Sequence, residues 1–89
     1  MSLNRNTIVN MNSASSAFVD AVAITPSDST IFNPPIRGIY VGGAGNVSVV
    51  TVLGSTVTFT APPVGTILDI KCTQVRLTGT TATNLVGLY

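Results

Sequence analysis

The chain contains no histidine, no glutamate and no tryptophan, and it has one cysteine, four basic and three acidic side chains among 89 residues. Each shortage removes a class of function. General acid–base catalysis needs a group that titrates near neutral pH. Without histidine, neither a Ser-His-Asp nor a Cys-His arrangement can be assembled, and zinc sites built on His or clustered Cys go with them. The carboxylates are Asp20, Asp28 and Asp69, far apart in sequence and in different local contexts. Only folding could pair two of them with the geometry that paired-carboxylate chemistry demands.

Other absences are equally restrictive. Asp28 lies among Ser27, Ser29 and Thr30, but one carboxylate is too few for calcium, which takes six to eight oxygens and usually several carboxylates. Asp28 reads instead as a turn former. Arg5, Arg37, Lys71 and Arg76 are scattered, so the clustered cations that grip nucleic-acid phosphates are missing. No apolar run is long enough to span a membrane, and Met1 to Asn6 lack the continuous apolar core of a signal peptide. A lone cysteine cannot close an internal disulfide, the usual staple of a small secreted domain. This favours folding in a reducing cytoplasm or stabilisation by partners. Cys72 falls in an apolar alternation and reads as a buried small hydrophobe. These readings assign no catalytic, cofactor-binding or metal-ligating residue.

What is present is apolar and neutral-polar. Hydrophobic residues make up 45% and charged residues 8% of the chain, against about 25% charged in an average soluble domain. Serine, threonine and asparagine supply most of the remaining polarity. Such a surface carries little charge to keep copies apart and favours self-association. The length suits one domain.

Residues 1–20 read as an N-terminal arm, flexible alone or docked on a partner. Asparagines and serines interrupt it, and Thr7-Ile8-Val9 and Ala17-Phe18-Val19 form short apolar islands. Residues 21–89 read as a single β-domain. Strands are expected at 21–25, 36–41, 47–52, 56–60, 66–72 (continuing or followed by a sixth at 73–77) and 85–89. Gly42-Gly43-Ala44-Gly45-Asn46 and Leu53-Gly54-Ser55 read as hairpin turns. In 56–60, Val57 and Phe59 face one way and threonines the other, a half-buried pattern. Ile31 and Phe32 precede Asn33-Pro34-Pro35, which forbids a helix, and read as a loop anchor or a lid over the core. Short strands at regular spacing, rich in Val, Ile and Thr and separated by Gly and Pro turns, indicate an all-β fold. The expectation is a small antiparallel β-sandwich or β-barrel of about six to seven short strands. A chain whose last strand carries Leu88 and Tyr89 is expected to tie that end into the sheet.

Five segments in order carry a family resemblance: Thr25-Pro26-Ser27-Asp28, Tyr40-Val41-Gly42-Gly43-Ala44-Gly45-Asn46-Val47, Thr56-Val57-Thr58-Phe59, Pro63-Val64-Gly65-Thr66-Ile67-Leu68, and Thr78-Gly79-Thr80-Thr81-Ala82-Thr83-Asn84-Leu85-Val86. Over roughly residues 21–89 the chain resembles the small spike-base (head spike) structural proteins of tailed phages and gene transfer agents. The resemblance implies a non-enzymatic virion protein, made in the bacterial host cytoplasm. It would be an oligomeric base or decoration subunit on the capsid that holds a spike or fibre. Its partners would be itself, as a trimer or pentamer, and capsid and spike or fibre proteins, with no nucleic acid and no membrane. The candidate interface residues are Phe18, Ile31, Phe32, Leu88 and Tyr89. The alternative is a small carbohydrate- or host-surface-binding β-module using Tyr40, Tyr89, Asn46 and Asn84.

Overall fold

The computed structural model describes residues 17–89. Within them the protein is all-β, with seven strands in two antiparallel sheets. These are β1 (Ala21–Ala23), β2 (Gly38–Val41), β3 (Val47–Thr51), β4 (Thr56–Phe59), β5 (Ile67–Leu68), β6 (Cys72–Val75) and β7 (Leu85–Leu88). One sheet has four strands in the order β1-β7-β2-β5, and the other has three in the order β4-β3-β6. The last strand, β7, is thus central, pairing with β1 on one side and β2 on the other.

The core lies between the sheets. Ile39 and Val41 of β2 and Leu85 of β7 meet Val47 and Val49 of β3 and Cys72 and Val75 of β6. Ile39, Val41, Val47, Val49 and Cys72 are wholly buried. Alternation explains the selection in β2, where Ile39 and Val41 point inward and Tyr40 outward. Ile36 breaks that alternation. It is buried beside them because the chain bends at Arg37 and Ile36 bridges to Cys72 in the other sheet.

Three expected elements differ. The glycine-rich segment 42–46 does not close a hairpin, because it carries the chain from β2 in one sheet to β3 in the other. Its glycines serve close approach. A Cβ at Gly43 would collide with the Thr83 hydroxyl, and one at Gly45, which has φ +141°, would collide with the Thr81–Ala82 backbone. The loop is held there by Asn46, whose carbonyl accepts from the amides of Thr81 (2.9 Å) and Ala82 (3.0 Å). The Thr81 hydroxyl in turn accepts from the Asn46 amide at 2.9 Å.

The second difference is the strand expected over 66–72. It splits into β5 and the start of β6, and Asp69-Ile70-Lys71 crosses between sheets. The amide of Ile70 donates to the carbonyl of Leu68 at 3.0 Å, a tight turn that ends the alternation. The third difference is one of degree in β4: Val57 and Phe59 do share the side of Val49 and Val47, but on this edge strand Phe59 packs against the core while Val57 stays exposed. The hairpin through Leu53-Gly54-Ser55 does form, with Val49 opposite Val57 and Val47 opposite Phe59. There Gly54 has φ +88° and open space around it.

The contrast between two glycines gives a test. Gly45→Ala combines a left-handed backbone with a backbone collision and is expected to cost about 3 kcal/mol or more. Gly54→Ala carries only the conformational penalty of about 1–2 kcal/mol. Urea denaturation of the two variants measures the difference.

Candidate assembly surface

The carboxylates do not converge. Asp20 accepts from the neighbouring amide of Ala21 at 2.8 Å. Asp69 sits exposed in the β5–β6 crossover. Asp28 does not cap its own turn; Ser27 does, its hydroxyl accepting from the amides of Ser29 and Thr30 at 3.2 Å each. Asp28 instead reaches across to the loop after β6. It accepts from the Thr78 hydroxyl at 2.6 Å and the Thr78 amide at 3.0 Å, and lies 3.5 Å from Arg76 Nε. The Thr78 hydroxyl, then its amide, then Arg76 hold the Asp28 carboxyl below its usual range. Among the described residues no three of His, Cys, Asp or Glu come together as a metal site would require. Burial pushes the Cys72 thiol up to about 11, so it stays protonated near neutral pH.

The Asp28 contact fastens a segment that covers one sheet edge. Ser27 donates its amide to the Val75 carbonyl (3.0 Å) and Phe32 to that of Thr73 (2.6 Å), along the outer side of β6. Gln74 Nε2 donates to the Ser27 carbonyl at 3.2 Å from within the protein. This is one way to block an exposed strand edge. Among the described residues, β1, β4 and β5 have no such cover.

The outer face of the four-stranded sheet is the most unusual surface. Directly opposed residues share a face, so two rows cross the sheet. One row runs Ala23, Val86, Tyr40 and Ile67, and the other Ala21, Leu88 and Gly38. Neither row contains a charged side chain. Tyr40 is 39% and Ile67 46% exposed. An antiparallel sheet with one face on the core normally turns a polar face to water. Here both faces are apolar. Phe18 adds to the outer one, since its ring fills the notch above Gly38 and the Arg37 guanidinium lies 5.0 Å from its centroid.

Of the residues expected at an interface, Phe18 and Leu88 stand on this face. Ile31 is exposed on the segment beside β6, and Phe32 next to it packs against the core. Tyr89 packs against the core and lines an open cleft of about 250 Å³ with Pro34, Pro35, Arg37 and Lys71. The structure therefore separates the five. Tyr40, Ile67 and Val86, not in the expected set, form the centre of the apolar face. Their signal in the sequence was alternation with inward partners in short strands whose other positions are also apolar. Nor do the four residues of the sugar-binding alternative line one cleft. Tyr40 is on the outer face, Tyr89 is in the cleft, and the Asn46 side chain is occupied by the Ala61 amide at 2.9 Å.

Among the described residues the acid–base and metal-ligating groups do not converge, and the rows of the outer face are apolar, with the Arg37 guanidinium beside them over Phe18. The chain is similar to one in the structure of the capsid of a native gene transfer agent (GTA) particle computed with C5 symmetry. Identity is 37%, coverage is 88% of this chain and 90% of that one, and the TM-score is 0.76. The chain belongs to the same family as that particle protein. No protein-family model and no curated protein matches the chain.

Two measurements test the chemistry of the site. Asp28 has a lowered folded-state pKa, so its contribution to stability is present above its usual value and lost as pH falls through the folded one. Asp28→Asn is expected to lower Tm at pH 7, and the gap to the parent should close below about pH 4. Thermal unfolding across that range measures it; a gap independent of pH would contradict it. Cys72 is expected to resist maleimide in the folded protein at pH 7.5 and to label rapidly in urea.

Proposed function

We propose that the protein is a non-enzymatic structural component of a phage-like particle. It self-associates on the capsid exterior as a base or decoration subunit that holds a spike or fibre. The observation that carries this reading is the apolar outer face of the β1-β7-β2-β5 sheet, which exposes Tyr40, Ile67 and Phe18 with no charge among its rows. Membership of a family with a protein in a gene transfer agent capsid supplies the setting. The physical logic is association by burial. Apolar surface removed from water contributes roughly 25 cal/mol per Å², and open edges at β1, β4 and β5 offer backbone groups to a neighbour. Synthesis in the host cytoplasm agrees with a chain whose one cysteine, Cys72, is free and buried. A trimer or a pentamer closes such contacts by cyclic symmetry.

Light scattering over a dilution series is the test. A fixed multiple of 9.1 kDa is expected, and its value gives the number of copies. Ala23→Asp and Tyr40→Asp place a charge on the outer face and are expected to weaken self-association roughly tenfold to a hundredfold. Circular dichroism should still report the β-fold in both. A protein that stays monomeric at every concentration, and is absent from purified particles, would refute the reading.

A further inference from the structure

We infer that the cleft between Arg37 and Lys71 docks a carboxylate side chain, Asp or Glu, borne on an exposed segment of a different protein. The inference concerns a surface other than the apolar rows of the outer face and does not rest on self-association.

The first observation is how the fold brings the two cations together. Ile36 and Cys72 form an antiparallel bridge and exchange both backbone hydrogen bonds, at 3.1 and 3.0 Å. One step along from that bridge, Arg37 stands across from Lys71, and both residues line the same cleft. Like charges directly opposite each other in an antiparallel pair are destabilising. Here the backbones hold them in place. The Arg37 amide donates to the Leu88 carbonyl at 2.7 Å, and the Lys71 carbonyl accepts from the Val52 amide at 3.2 Å. The chain has four basic residues in all, so this one cleft takes half of them.

The second observation is that no carboxylate side chain of this protein neutralises the pair. Among the described residues the one ion pair joins Arg76 to Asp28. The chain has three acidic side chains. Asp28 is engaged by Thr78 and Arg76. Asp69 is two residues from Lys71, and the Asp20 carbonyl accepts from the Tyr89 amide at 2.9 Å. Both therefore stand at the border of the cleft in their own copy, and neither is within ion-pair distance of Arg37 or Lys71. A second copy that inserted either one would bring its own Arg37 and Lys71 up against this pair, and like-charge juxtaposition opposes that contact. The carboxylate comes from another protein.

The third observation is the chemistry of the walls. Pro34 and Pro35 have no backbone N–H, and the side chains of Arg37 and Lys71 are donors only. Such a lining suits a group that only accepts, as an ionised carboxylate does, with an apolar neighbour against the prolines and Tyr89. It suits a saccharide less well, because hydroxyls must also donate. The cleft holds about 250 Å³, below the roughly 300–1,000 Å³ of sites for whole small molecules. It fits one anchoring side chain and part of its neighbour. Arg37 is already positioned. Its guanidinium donates to the Ala17 carbonyl at 3.3 Å and lies 5.0 Å from the Phe18 ring centroid. That leaves other N–H groups of the fork for a carboxylate and lowers the ordering cost of binding.

Nuclear magnetic resonance titration of the full-length, isotope-labelled protein tests this. The probes are the capped peptide Ala-Glu-Leu-Ala, its counterpart Ala-Gln-Leu-Ala, and trigalacturonate. The Glu peptide is expected to shift the amides of Arg37, Lys71 and Tyr89 saturably, and the Gln peptide to bind about tenfold more weakly. Lys71 is exposed, so substitutions there leave the core intact. Lys71→Gln is expected to lose the same factor and Lys71→Arg to keep the binding. Lys71→Glu supplies the carboxylate from within. It is expected to abolish binding of the Glu peptide and to raise Tm by up to about a few degrees at low salt. Equal binding of the two peptides, no binding at millimolar concentration, or shifts confined to other surfaces would overturn the proposal. Trigalacturonate bound at these residues in place of the peptide would overturn it in favour of an acidic saccharide. Loss of a multimer in Lys71→Gln would overturn it in favour of a second copy. A chain that stays monomeric and still binds the Glu peptide in the cleft would support the proposal and refute self-association alone.

Discussion

The fold depends on one close contact, the glycine segment 42–46 lying against residues 81–84. The chain changes sheets at both places, from β2 to β3 and again between β6 and β7. Where those crossings touch, the backbones approach too closely for side chains on the first one. The Asn46 carbonyl takes two amides, and the Thr80 hydroxyl caps the Ser48 amide at 2.9 Å. Buried backbone groups at a sheet-to-sheet crossing need partners, and here the two crossings supply each other. This contact sets the register in which Ile39, Val41, Val47 and Val49 face one another. The inner faces follow from it, and so does which faces are left outside.

Much of the architecture was legible in the sequence for a simple reason. Val, Ile and Thr alternate in short runs between Gly and Pro, and few physical solutions other than a small two-sheet protein satisfy that pattern. Sheet membership was less legible. Gly42 to Asn46 has the composition of a hairpin turn, and nothing local says that its glycines serve a contact with Thr83 some 40 residues later. The run from Thr66 to Cys72 is apolar enough to be one strand; only the second sheet's need for Cys72 and Val75 divides it. At Asp28 the expected turn-forming role falls to Ser27 instead, because a side chain that reaches Thr78 leaves no local sign. The apolar outer face was hardest of all. Inward and outward positions of β2 and β7 are both apolar, so alternation alone does not say which side meets the core.

The site and the function meet in that ambiguity. A free-standing domain of this size gains from a polar outer face, and this chain has kept hydrophobic residues there and at Phe18. It has also kept few charges anywhere. A family relative is part of a capsid particle, and a subunit in a particle is rarely without neighbours. Surface that is costly for an isolated molecule is ordinary for one that is always covered.

The segment fastened by Asp28 along β6 gives the molecule a blunt side. Among the described residues, three of the four edge strands have no partner for their outer backbone, and the fourth is sealed by the Ser27 and Phe32 amides and locked at its end by Thr78. A sheet sealed on one side cannot lengthen without limit in both directions. In the three-stranded sheet, only the β4 edge is open to a further strand.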